Sequence, residues 1–327
     1  MDALSELLKT VRLHSGIFLD AEFTAPWCID SAPGDEDIAQ LLPNAEQISI
    51  YHLFTDGGGH AKLAGAKESI ELRAGDLLMF PHADGHLMGS DLHIAPRVVG
   101  ELVETSPAGG PSRVRYGGGG ARSRFVCGYL ACDRRTCKPL LDALPRMLRV
   151  SLRGAPATQW IEATIRHAAS QTGAPDAGGD GLLARLAELL FVEAVREYVR
   201  SIPESQRGRL AGLRDPHVGR ALALLHGEPA RCWDVETLAQ ETGLSRSALG
   251  ERFVALLGMP PMQYLTGWRM ALAAQALSSG NDAVARIAER IGYESEAAFN
   301  RAFKREFGTP PAAWRRAARG AGSKARL

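Results

Sequence analysis

Thiols and a basic C-terminal end carry most of the chemistry that can be read from this 327-residue sequence. The cysteines are Cys28, Cys127, Cys132, Cys137 and Cys232. An odd number in a large chain argues against a disulfide framework and for a reducing cytoplasm. A cysteine senses oxidants when its pKa is lowered, and Cys28 and Cys127 are the redox candidates. The commoner role is that of a small buried apolar residue. The four-residue separations of Cys127, Cys132 and Cys137 are not zinc-ribbon spacing. No Ser/His/Asp set, Walker loop or dinucleotide fingerprint is present, and Gly117–Gly120 precede no predicted helix. The chain is therefore not expected to be an enzyme. Charge is uneven although the net is only +1: residues 215–327 hold 15 Lys/Arg against 11 Asp/Glu, and from Arg286 onward the balance is 10 to 4. Such an end suits a polyanion.

The first 130 or so residues must position the N-terminal thiols, and they read as short strands. Ile48–Phe54 runs into a turn at Asp56–Gly59; His60–Leu63, Ser69–Leu72, Leu77–Phe80 and Arg124–Leu130 follow as further strands. Segment 105–121 is rich in Gly and Pro and reads as a loop. Many short strands imply a β-barrel or sandwich. After Pro139 the spacing becomes helical, over 156–171 and 182–202, with a Gly/Pro/Asp loop at 173–181. Leu182, Leu183, Leu186, Leu189 and Leu190 form an apolar stripe that either packs on the barrel or makes a homodimer seam. The expected division is a sensor domain over 1–202, a linker over 203–214, a helical domain over 215–320 and a disordered tail over 321–327. The N-terminus carries acids and lacks the apolar core of a signal peptide. No run of about 18 apolar residues exists to span a membrane.

The helical domain contains an internal repeat. Gly250–Pro261 and Asn300–Pro311 align at an offset of 50 residues, matching Phe253 with Phe303, Leu257 with Phe307, Gly258 with Gly308, and both double prolines. Each copy begins with a short helix. Asp234 can cap the first above Val235, Leu238 and Ala239; Asp282 can cap the second above Val284, Ile287, Ala288 and Ile291. Gly243 or Gly292 then makes a tight turn, and Ser245 or Ser295 caps a second helix. A double proline starts the next helix. Helix, short turn, helix is the helix-turn-helix plan, whose second helix enters the major groove. A connecting helix over about Met262–Leu277 could hold the two recognition helices roughly 34 Å apart, one turn of duplex.

Residues 215–319 resemble the DNA-binding domain of AraC/XylS-type regulators. The similarity is carried above all by Ile287–Pro311 and by Leu238–Phe253. The resemblance implies a regulator that binds double-stranded promoter DNA and works with RNA polymerase. It assigns base-edge positions to Arg246, Ser247, Gly250 and Glu251 in the first recognition helix, and to Glu296, Ala297, Asn300 and Arg301 in the second. Gly250 offers no side chain, whereas Asn300 and Arg301 suit adenine and guanine edges. Phosphate candidates are Ser245, Ser295, Lys304, Arg305, Arg315 and Arg316.

Gly75–His86 resembles the later of the two cupin motifs, with Ala83 where glycine is usual. Residues 1–200 are similar to the cupin-type sensor domain of a branch of these regulators, a likeness extended by Cys127-Gly128-Tyr129 and Pro139–Pro145. The earlier cupin motif is absent. The implied fold is α+β: a cupin-like β-barrel with flanking helices, then an all-α domain of two helix-turn-helix motifs. Cupin strands hold imidazoles inside the barrel, so His52, His82, His86 and Cys127 would form a zinc or other transition-metal site if their strands converge; His60 is a weaker candidate. The leading expectation is a one-component regulator responding to a small molecule, metal or oxidant. The alternatives are a metal-dependent cupin enzyme with an appended helical domain and an architectural DNA binder.

Overall fold

A computed structural model describes residues 13–31, 47–104, 112–132, 140–153, 179–203 and 209–324, together with Leu4. The helix expected over 156–171, most of the 173–181 loop, residues 204–208 and Cys137 lie outside the described residues. The chain divides into two compact units. One is built from Leu13–Asp133 with Leu144–Tyr198, the other around Val199–Leu327.

The first unit is β-rich. In order along the chain its strands are β1 (Leu13–Thr24), β2 (Cys28–Asp30), β3 (Gln47–Asp56), β4 (Gly58–Leu63), β5 (Ile70–Arg73), β6 (Asp76–Phe80), β7 (His86–Gly89), β8 (Arg97–Val98), β9 (Ser112–Gly117), β10 (Arg122–Cys132) and β11 (Leu148–Ser151). Among the described residues they form two sheets, ordered β11-β6-β3-β10-β1-β9 and β5-β4-β7-β2-β8. Side chains from both sheets meet in one core containing Phe23, Ile29, Phe54, Ala61, Leu72, Phe80, Met88 and Phe125. Stacked rings run through it: Phe23 on Trp27 at 4.6 Å, Phe23 on Phe125 at 5.4 Å and Phe54 on Phe125 at 4.8 Å. Strand β3 is buried on both faces from Ile48 to Phe54 and paired along both edges, with β10 on one side and β6 on the other. Gly128 of β10 lies opposite Tyr51, and a Cβ there would sit 2.1 Å from the tyrosine ring, so only glycine lets that ring cross the strand.

Segment 105–121 differs from the loop expected for it, since β9 occupies Ser112–Gly117 and pairs in parallel with β1. The glycines of the segment flank the strand, with Gly117 its last residue. Between β6 and β7 the chain turns through Pro81–Gly85, and Ala83 adopts φ +53°. A left-handed conformation costs an L-residue about 1–2 kcal/mol, against about 0.5–1 kcal/mol of chain entropy lost by glycine. Ala83→Gly is therefore expected to raise stability by about 0.5–1 kcal/mol in urea denaturation. A destabilised variant would show that this turn is not strained.

Helix α1 (Gly179–Ser201) buries Ala187, Leu190, Phe191, Ala194 and Val195 within the single chain, while Leu189 is exposed. Of the apolar stripe, Leu190 is thus buried within the chain and Leu189 lies in solvent, while the side chains of Leu182, Leu183 and Leu186 lie outside the described residues. The second unit is all-helical: α2 (Arg209–Gly212), α3 (Pro216–Gly227), α4 (Val235–Thr242), α5 (Arg246–Leu257), α6 (Pro261–Ser279), α7 (Val284–Arg290), α8 (Glu296–Phe307) and α9 (Pro311–Lys324). Part of the expected linker is packed: α2 buries Leu210, and a Cβ on Gly212 would meet Leu257 of α5 at 2.8 Å. The expected tail from 321 is helical as far as Lys324.

Candidate nucleic-acid interface and sensor site

Each repeat folds around its own core. The first gathers Val218, Leu222, Trp233, Leu238, Leu249, Phe253 and Leu265; the second gathers Met270, Leu277, Ile287, Phe299, Phe303 and Trp314. Punctuation residues set the local geometry. Asp234 accepts from Thr237 N at 2.7 Å, and Ser245 and Ser295 accept from Ala248 N and Ala298 N, each at 3.2 Å. Gly243, Gly258, Gly292 and Gly308 take positive φ values, as their places after helices require. Pro261 and Pro311 open α6 and α9. Asp282 corrects the expected second cap. The residue at the cap is Ala283, with no side-chain bond, and Asp282 pairs with Arg290 at 3.1 Å.

These constraints leave one face of α5 and one of α8 in solvent. Arg246, Ser247 and Glu251 are exposed, and Gly250 has open space around it. On α8, Glu296, Ala297, Arg301, Lys304 and Arg305 are exposed and Asn300 is half-buried, while Phe299, Ala302 and Phe303 fill the core. Among the described residues none of Arg246, Arg301, Lys304, Arg305 and Arg316 forms an ion pair. Arg252 is different. It pairs with Asp215, which caps α3 through His217 N and Val218 N. Burial pushes the Asp215 carboxyl up, but Arg252 and the two backbone N–H groups outweigh it and hold its pKa below the usual range.

In the β-rich unit, β3 and β10 place His52 and Cys127 directly opposite each other, and β7 brings His86 from the other sheet. His52 Nδ1 lies 2.9 Å from Cys127 Sγ, His52 Nε2 lies 2.8 Å from His86 Nε2, and His86 Nδ1 lies 2.9 Å from the Asp84 carbonyl oxygen. A single proton order satisfies the whole chain. The His86 Nδ1–H donates to the carbonyl, the His52 Nε2–H donates to His86 Nε2, and the Cys127 S–H donates to His52 Nδ1. Every group is then neutral. Burial favours that state throughout: it drives the Cys127 thiol well up, His52 well below the ordinary histidine value, and His86 down to about 4. Arg146 Nε donates to Asp84 Oδ1 at 3.0 Å, which steadies the turn carrying that carbonyl.

Residues 2–200 match the cupin family and residues 238–317 the helix-turn-helix domain family. An AraC-like transcription regulator of Streptomyces lividans is 35% identical over 319 residues, spanning 97% of this chain and 98% of the relative. The chain belongs to the AraC-like transcription regulators. It is a sequence-specific DNA-binding regulator with an N-terminal cupin sensor domain. The HTH-type transcriptional regulator AlkR of Acinetobacter baylyi is 25% identical over 96% of this chain and 99% of its own length. The DNA-binding domain of AdpA, solved in complex with a target DNA, is 34% identical over 32% of this chain and 95% of that domain, with a TM-score of 0.31.

For this AraC-like regulator, the proposed four-ligand metal set needs correction. His52, His86 and Cys127 converge, whereas His82 sits half-buried in the turn after β6 and is not part of their hydrogen-bonded chain. The three that meet do not fit one ion as arranged. The two His52 nitrogens diverge from the ring, one toward sulfur and one toward His86, and a single ion can use only one of them. No cluster of three or more His, Cys, Asp or Glu among the described residues could hold a metal. The weaker candidate His60 is exposed on β4. Burial raises the pKa of both Cys28 and Cys127, which disfavours the reactive thiolate. Arg315 is likewise not a free phosphate ligand, because its guanidinium donates to the Asp282 carbonyl and its Nε is enclosed. Sequence reading missed Asp84, Arg146 and Arg252. Asp84 stands two positions before His86, a visible signal, whereas Arg146 is 62 positions from its partner and carries none.

Proposed function

We propose that this regulator reads its promoter with the exposed faces of α5 and α8, and that α8 makes the larger share of base contacts. The observation that carries this reading is the unequal chemistry of the two faces. Helix α8 presents Asn300 and Arg301, unpaired, beside Lys304 and Arg305. Helix α5 presents Gly250 at the matching place, and its Arg252 is held by Asp215. Amide and guanidinium forks recognise adenine and guanine edges, and Glu251 can accept from cytosine. Glu296 and Ala297 face the same side as Asn300, and Ala297 offers a methyl surface for thymine. Ser295 uses its oxygen as a cap and keeps its O–H for a phosphate, and Ser245, also a cap, shares its hydroxyl with Ser247 at 3.2 Å so that the pair can turn one O–H outward; Lys304, Arg305 and Arg316 supply charge.

In this reading the protein acts in the cytoplasm with RNA polymerase, and performs no catalytic step. Its barrel domain responds to an effector whose affinity differs between two arrangements of the protein. No helix among the described residues is long and apolar enough to cross a membrane. Arg301→Ala is expected to weaken binding to a selected operator by about 1–3 kcal/mol and to relax preference at one guanine, as read by fluorescence anisotropy on base-substituted duplexes. Arg316→Ala should weaken all duplexes alike and flatten the salt dependence. Unchanged affinity and base preference in the Arg301 variant would remove α8 from the readout.

A further inference from the structure

We propose that Arg269 is a positioning residue that fixes the spacing between the two recognition helices, and so the operator spacing the protein accepts. Arg269 projects from α6, the 19-residue rod common to both repeats. Its Nε donates to the Pro229 carbonyl at 2.7 Å, and its Nη2 donates to the Arg231 carbonyl at 2.9 Å. Both acceptors lie in the α3–α4 turn of the first repeat. That turn is itself anchored: Trp233 sits in the first core, donates to the Glu228 carbonyl at 3.0 Å, and carries the Arg231 guanidinium 4.0 Å above its ring.

The same turn touches the second repeat. A Cβ on Gly292 would lie 2.7 Å from the Ala230 carbonyl oxygen, 2.9 Å from Ala230 Cα and 2.8 Å from Arg269 Nη2. Gly292 stands between Ile291 and Tyr293, both packed in the second core. The two cores therefore meet where the glycine leaves room for backbone and guanidinium, and at that point one arginine fork ties the shared rod α6 to the turn of the first repeat. A planar fork fixes an angle in a way a flexible point charge does not.

A protein with two tethered readers gains on a two-half-site operator in proportion to how well the tether holds the second reader in place. A stiff junction favours one spacing and penalises its neighbours. Arg269 touches neither base-reading face, so its removal should change the coupling and leave each reader intact. This inference rests on the reading of α5 and α8 as base contacts, which Arg301→Ala tests separately through single-base preference.

The test uses the full chain and a duplex selected by it from a random library. Versions of that duplex carry one scrambled half-site, or one base pair added to or removed from the spacer. Arg269→Ala is expected to weaken the intact duplex about tenfold, to bind the single half-site within twofold of the unaltered chain, and to flatten the preference among spacers. Arg269→Lys, which keeps the charge but not the fork, is expected to fall between the two and also decides the matter should the alanine variant not fold. A Lys variant with the original spacer preference, or an Ala variant losing equally on half-site and intact duplexes, would overturn the proposal.

Discussion

Replacing Phe303 with alanine is expected to cost about 3–5 kcal/mol and to unfold the second repeat while the first stays folded. Phe303 is fully buried, meets Trp314 edge-on at 5.5 Å, and lies 5.6 Å and 4.7 Å from Phe299 and Phe307. These rings make up much of a small core, so the cavity has few neighbours able to collapse into it. Whole domains are stable by only about 5–15 kcal/mol, which makes such a loss decisive for one repeat. The first repeat has its separate core around Phe253 and Leu249. Urea unfolding should therefore become biphasic, and operator binding should fall to what the first repeat supplies alone. A loss under about 1 kcal/mol, with one cooperative transition, would show that the rings do not hold this repeat together.

Acidification is expected to destabilise the β-rich unit on the order of 3 kcal/mol between pH 6.5 and 4. His86 alone accounts for that figure, since burial lowers its pKa from 6.5 to about 4, and His52, lowered in the same direction, adds to it. In that interval the unfolded chain binds a proton that the folded chain refuses. Stability is thus complete above the unfolded value and is lost as pH falls toward the folded one. Asp84 opposes the shift through its carbonyl and its charge, but burial dominates. Chemical denaturation of the full chain across this range should show the slope. A His86→Gln variant, which retains hydrogen-bonding capacity without titrating, should lose the share that belongs to His86 and keep the share that belongs to His52. An unchanged slope in that variant would place the pH dependence elsewhere.

Local chemistry explains why so much of the helical unit was legible. Ser245, Ser295, Gly243, Gly292, Pro261 and Pro311 act on backbone groups within a few residues of themselves, so their types predict helix ends directly. The exception, Asp282, had the right type for a cap, but its carboxylate found Arg290 eight positions away. Strands β3 and β6 could be read because apolar runs ended in turn residues. Strand β9 could not, because its pairing with β1 is long-range and the glycines and prolines on either side of it read as a loop.

The candidate sites divide along the same line. The sequence by itself determined the two repeats, their caps apart from Asp282, and the outward row of Arg246, half-buried Asn300 and Arg301, because a helix converts spacing into a face without reference to anything distant. Only the tertiary structure decided which histidines meet, and in what chemical state. His52, His86 and Cys127 come from three strands in two sheets, and their neutral proton order depends on burial that no single segment encodes. The same holds for Arg252, Arg315 and Arg269: the sequence shows a cation, and only the folded chain shows which carboxylate or carbonyl already occupies it. Electrostatic partners are set by distance in space, and in this fold the decisive ones lie far apart in sequence.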